Sequence, residues 1–219
     1  MKIQILISKK SWATEQINLI KKILSKFDKN IVIIDNHKNL RKNYDINIIL
    51  SYFKIIKKRY LDKSKKNIVI HASNLPYGRG MSPLTWQILK GKTKVVFSLI
   101  EANEKMDEGK VYYKQKVKIP KDVLFNEIKK IQLESSLRLI FKFLDKYKNT
   151  GQFPINHSQK GKPYYFKLRT KIDSKLNIDK SLRSQFNHLR VCDSANYPSY
   201  FIINKKKFII EVRKEISRK

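Results

Sequence analysis

The chain has 219 residues, 41% of them hydrophobic and 31% charged, which excludes a disordered tail and supports one medium-sized core. No apolar run approaches the roughly 18 residues of a transmembrane helix. The lone Cys192 excludes a disulfide framework and a cysteine-based zinc site. The net charge of +31 raises nucleic acid as a partner, but 40 of the 49 basic residues are Lys, and Ile (30) and Asn (16) are equally inflated while Ala (4) is scarce. Lys, Ile and Asn have A/T-rich codons, so genome composition acting on surface positions is the simplest cause. The lysines are spread along the chain, and a phosphorylated small substrate would satisfy the field as well as RNA. The start MKIQILISKK is too short in apolar residues for a signal peptide, so a soluble cytoplasmic protein is expected.

Lys2 to Ser8 alternates as a first strand. Ser11 to Phe27 has helical spacing with Ser11 as N-cap. Asn30 to Asp35, Ile46 to Ser51 and Asn67 to Ser73 are short, β-branched and almost continuously apolar, as strands covered on both faces are. Helical segments between them give a β-α-β order. The first turn, ISKKSW, has no glycine, so the dinucleotide fingerprint is absent. HASNLPYGRGMSPLTW, from His71 to Trp86, is the richest turn region, at the end of a central strand where doubly wound folds place their sites. A helix over MSPLTWQILK, strands over 93–102 and 111–119 and a long helix over about 123–147 complete the core. A helix near 180–191 and a hairpin of YFII with KFIIEV follow. The predicted fold is a doubly wound, mostly parallel Rossmann-like α/β sheet over 1–148, with a small α+β appendix, helix plus β-hairpin, over 149–219.

Of the four histidines, His71 differs by ending a buried strand at that loop; His37, His157 and His188 read as surface or packing residues. His71, Ser73, Leu75, Pro76, Arg79, Gly80, Pro83, Trp86 and Gly91 resemble the formyltransferase family signature, and Asp107 and Gly109 fill its Asp-x-Gly loop some 35 residues on. The resemblance covers Ile46 to Ile119. It implies 10-formyltetrahydrofolate as co-substrate, with a primary amine attacking its formyl carbon. An imidazole suits the proton transfer, and a carboxylate orients it. By the resemblance His71 and Asp107 take these roles. The family's oxyanion-donating Asn lies two residues before the His, but here that position is Val69. Ser73 and Asn74 are the side chains within loop reach that could substitute, and each also reads as an ordinary turn residue.

The resemblance also implies a pterin pocket at Lys54, Ile55 and Ile56 and at Asn103, Glu104, Lys105 and Met106. Ile55 and Ile56 read equally as core. Arg79 is expected to position the loop or meet an anionic group, and no metal is expected. Arg169, Asp173, Ser174 and Arg190 resemble landmarks of the segment that follows the core in the methionyl-tRNA and sugar-amine branches, although Lys171 replaces an expected Pro. The length leaves no room for an extra RNA-contacting domain, which points to the sugar-amine branch. The expected acceptor is an amino sugar, nucleotide-linked as in pseudaminic-acid-type pathways. No specific nucleic acid and no membrane partner are expected, and a homodimer is left open. Two rivals remain: a methionyl-tRNA formyltransferase-like enzyme, and a catalytically impaired binding protein of the same fold, which Val69 favours.

Overall fold

A computed structural model describes residues 1–215; the last four residues of the expected appendix lie outside the described residues. In chain order the elements are β1 (Ile3–Leu6), α1 (Ile17–Leu24), β2 (Val32–Ile34), β3 (Tyr44–Ile49), α2 (Lys58–Leu61), β4 (Ser64–His71), β5 (Tyr77–Gly80) and α3 (Pro83–Leu89). They continue with β6 (Lys94–Glu101), β7 (Val111–Lys118), α4 (Phe125–Thr150), β8 (Tyr164–Phe166), α5 (Leu182–Arg190), β9 (Ser199–Ile203) and β10 (Lys206–Ile210). The main sheet has the order β2-β1-β3-β4-β6-β7. Its first four strands run parallel, and β6 and β7 are antiparallel additions on the far side of β4. This is the mostly parallel α/β architecture expected from the apolar runs.

Strand alternation sorts the sheet into two unlike faces. Ile3, Ile5, Ile46, Ile48, Ile68, Phe97 and Leu99 enter one large core with α1, α3 and α4. Each fully buried Ile there contributes about 1.5–3 kcal/mol. The opposite face has only a small cluster of Leu6, Ile34, Leu40, Ile49, Ile56 and Leu61. Buried polar residues share this thinner side. Gln4 donates to Ser64 Oγ (2.9 Å) and Asn47 donates to Asn67 Oδ1 (3.0 Å). On β4 the same parity carries Asn67, Val69 and His71, so His71 emerges on the less covered face.

The first expected helix is shorter than its apolar spacing predicts. Ser11 Oγ accepts from Ala13 N–H, and Thr14 Oγ1 donates to the Ser8 carbonyl, so these side chains hold the chain in a turn until α1 begins at Ile17. β5 and β8 have no counterpart in the sequence reading. They pair in parallel, linking the glycine-rich loop to a segment about 80 residues later. Trp86 Nε1–H donates to the Lys167 carbonyl (2.8 Å) and His157 forms a main-chain bridge with Val111, so residues 157–167 are stitched to the core. The expected hairpin is present, with β9 antiparallel to β10. Among the described residues no helix is long and apolar enough to cross a membrane.

Candidate active site

His71 ends β4, and Asp107 lies in the loop between β6 and β7. The two meet with Nδ1 and Oδ1 3.3 Å apart, their side chains 8% and 14% exposed. Asp107 holds a left-handed backbone (φ 56°), which short carboxylates tolerate better than most residues. Its Oδ2 accepts the Gly80 N–H at 2.8 Å. The other imidazole nitrogen, Nε2, donates to the Gly78 carbonyl at 2.6 Å, because a carbonyl can only accept. Both ring nitrogens therefore face oxygen acceptors.

Two glycines allow these approaches. A Cβ on Gly80 (φ +93°) would meet the Phe166 carbonyl oxygen on β8. A Cβ on Gly109 would fall onto the Glu101 carbonyl oxygen, so the glycine of the Asp-x-Gly loop is needed for space.

The loop after His71 is tied at almost every residue. Gln87 Nε2–H donates to the Ala72 carbonyl (2.7 Å) and Ser98 Oγ–H to the Ser73 carbonyl (2.7 Å). Lys114 Nζ donates to Asn74 Oδ1 (2.8 Å) and to the Leu75 carbonyl (2.7 Å). Burial lowers the Lys114 pKa from its ordinary value, because desolvation disfavours the ammonium. The Ser73 hydroxyl is fully enclosed and has no hydrogen-bond partner among the described residues. The Asn74 oxygen is turned toward β7. The structure thus brings His71 and Asp107 together, leaves the Ser73 hydroxyl enclosed without a partner, and engages the Asn74 oxygen as an acceptor for Lys114. Val69 packs with Leu75, Ile100 and Val111.

The expected pterin-pocket residues divide. Ile56 is buried in the smaller core, whereas Ile55 is 55% exposed and Lys54 is exposed. Asn103, Glu104, Lys105 and Met106 are all exposed; Asn103 Oδ1 accepts from Lys105 N–H. The Lys58 N–H donates to Glu104 Oε1 at 2.9 Å, so the loop after β3 meets the Asp107 loop. Both loops leave large apolar side chains in solvent there: Phe53, Ile55 and Met106. Among the described residues no group of three or more His, Cys, Asp or Glu could hold a metal ion.

Arg79 lies beside Glu108 (Nη1 to Oε1 3.1 Å) and donates to Gln159 Oε1 through Nε (3.2 Å) and Nη2 (2.8 Å). It therefore meets protein groups on the Asp107 loop and on the segment after the core. Gln159, Tyr165 and Lys114 were not legible in the sequence. They stand in polar or alternating stretches with no motif.

A formyl transferase family model matches residues 32–135, which include His71 and Asp107. The methionyl-tRNA formyltransferase of Sulfurihydrogenibium sp. is 31% identical over 166 residues, covering 75% of this chain and 52% of that protein. The chain spans about half the length of that curated relative. A sugar N-formyltransferase from Shewanella sp. shares the fold with a TM-score of 0.70 at 17% identity, each chain covered in full. HypX from Aquifex aeolicus in complex with tetrahydrofolic acid matches 97% of this chain and 37% of its own, with a TM-score of 0.76 at 16% identity. With its signature loop and Asp-x-Gly turn set side by side on this fold, the chain belongs to the formyltransferase family.

Proposed function

We propose that the protein transfers a formyl group from 10-formyltetrahydrofolate to the primary amine of an amino sugar, nucleotide-linked. The observation that carries this reading is the enclosed His71–Asp107 pair at the end of β4, beside an open apolar lip. The lip formed by the loop after β3 and by Asn103 to Met106 would hold the pterin. The reaction requires an amine to attack the formyl carbon, lose a proton, and expel the folate nitrogen, which takes a proton as the C–N bond breaks. Asp107 would orient the imidazole through Nδ1–H, leaving Nε2 to receive the amine proton. That step requires Nε2 to exchange the Gly78 carbonyl for the amine, with the ring proton moved to Nδ1. Val69 offers no donor to the oxyanion, so a backbone N–H or a water is the proposed source. The amino-sugar acceptor is supported by the likeness in fold to a sugar N-formyltransferase, although a methionyl-tRNA formyltransferase from Clostridium thermocellum is matched over the same length with a TM-score of 0.75 at 22% identity, so the acceptor assay decides between them. Methionyl-tRNA is the second reading, favoured by the curated relative and the charge of +31.

Tetrahydrofolate release with UDP- and dTDP-linked amino sugars and with methionyl-tRNA tests both acceptors. Turnover of an amino sugar, lost by about 100- to 10,000-fold in His71→Ala, is the expected result. Near wild-type transfer by His71→Ala would sink the assignment. Turnover of methionyl-tRNA alone would transfer it to the second reading, and no turnover of any acceptor would favour a binding protein with a defunct site.

A further inference from the structure

The carboxylate that faces His71 is on a loop, and a loop carboxylate is only as well placed as the groups that hold the loop. Arg79 and Tyr165 reach the Glu108 side chain, and among the described residues one side chain, Gln159, holds the carbonyls that flank it. Gln159 Nε2 donates to the carbonyl of Asp107 itself (2.7 Å) and to the carbonyl of Gly109 (2.9 Å). Its Oε1 accepts from Arg79 Nε (3.2 Å) and Nη2 (2.8 Å). Both amide hydrogens and both oxygen lone pairs are thus used, and the amide has one workable orientation. Flipping it would set its NH2 against a guanidinium and its oxygen against two carbonyls. Arg79 precedes Gly80, whose N–H binds the Asp107 carboxylate, and it also reaches Glu108. Asp107 is therefore gripped at its carbonyl by Gln159 and at its carboxylate by Gly80, with Arg79 joining the two holds.

We infer that Gln159 is a positioning residue for Asp107, acting through the Asp107 and Gly109 carbonyls to fix the carboxylate against His71. This rests on the formyl-transfer reading for its kinetic consequence, and on geometry alone for its structural one. A left-handed Asp held by main-chain acceptors has nothing else in the described residues that donates to those two carbonyls from a side chain. A residue that merely tethered the 157–160 stretch to Arg79 would need only its oxygen; the two N–H bonds to the Asp107 loop would serve no purpose.

Gln159→Glu separates the two roles. It keeps, and electrostatically strengthens, the contact with Arg79, but sets a carboxylate against two carbonyls. Gln159→Met, similar in length and without hydrogen bonds, is the companion. Three readouts follow. The Gly80 amide, measured by hydrogen exchange without substrate, reports on the Asp107 carboxylate and should exchange about tenfold faster in Gln159→Glu. The kcat should fall about 100-fold with KM for the amine held within a few-fold, since small misplacements cost rate. In an Asp107→Asn background the same substitution should add almost nothing, because it acts through that carboxylate. Unchanged Gly80 exchange overturns the inference, as does an additive loss in the double variant. If the wild type transfers no formyl group to any acceptor, the functional reading fails, and Gly80 exchange alone decides the positioning claim. Thermal unfolding of both variants identifies any loss of fold, and should one variant unfold, the other carries all three readouts.

Discussion

The loops that follow β3 and β4 leave the sheet side by side but are built on opposite plans. After β4, the carbonyls of Ala72, Ser73, Leu75 and Gly78 each accept from a side chain, and Gly80 is paired with both Asp107 and β8. After β3, Phe53, Lys54 and Ile55 stand in solvent, and the segment is tied on either side of them, by the Leu50 N–H to the Leu6 carbonyl, by Tyr52 to His37, by the buried Ile56 and by Lys58 to Glu104. The first loop holds the groups proposed to move a proton, where a small displacement costs rate. The second is the proposed lip for a flat heterocycle, where exposed apolar surface is what a ligand would cover.

Gly109→Ala should strike the ordered side hardest. Its Cβ has no space beside the Glu101 carbonyl, so the Asp107 loop must shift. A loss of about 1–3 kcal/mol is expected from overpacking, or a Tm lower by roughly 2–12 °C. A Gly109→Ala protein with unchanged Tm would show that the loop yields easily and would break the comparison. Ser98→Ala comes next, leaving the buried Ser73 carbonyl without its donor at a cost of about 1–3 kcal/mol by denaturant titration. Val69→Asn exchanges an apolar contact with Leu75 and Ile100 for an amide on the His71 face. It should cost about 1–3 kcal/mol, yet raise the single-turnover rate by about tenfold or more if the missing donor limits catalysis. A flat or slower rate would assign the oxyanion to a backbone or water donor. The smallest structural effect belongs to Ile55→Ala, within about 0.5 kcal/mol of wild type. Its effect should fall on KM for the folate, raised several-fold. If Ile55→Ala destabilised as much as Ser98→Ala, the two loops would not differ in kind.

The sequence was legible where burial sets the pattern. Ile3, Ile5, Ile46, Ile48 and Ile68 are β-branched residues that go into one core, and their alternation locates β1, β3 and β4. His71 and Asp107 were legible because a long spaced motif surrounds them. The Gln159 clasp was not. A lone Gln in HSQKGK carries no periodicity, and its partners are main-chain carbonyls, which no residue pattern encodes. β5 and β8 escaped for a similar reason. A four-residue strand with two glycines and a three-residue strand acquire their identity only from each other.

The pairing of β5 with β8 also has a consequence for biosynthesis. Arg79 waits for Gln159 and Tyr165, which emerge from the ribosome 80 and 86 residues later. At about 5–20 residues per second the delay is roughly 4–17 s. Once Lys118 has been added, midway through it, the nascent chain contains all six strands of the main sheet, but the hold on Asp107 is incomplete. A protein interrupted just after α4 would therefore retain the apolar framework and lack the clasp that sets its reactive pair.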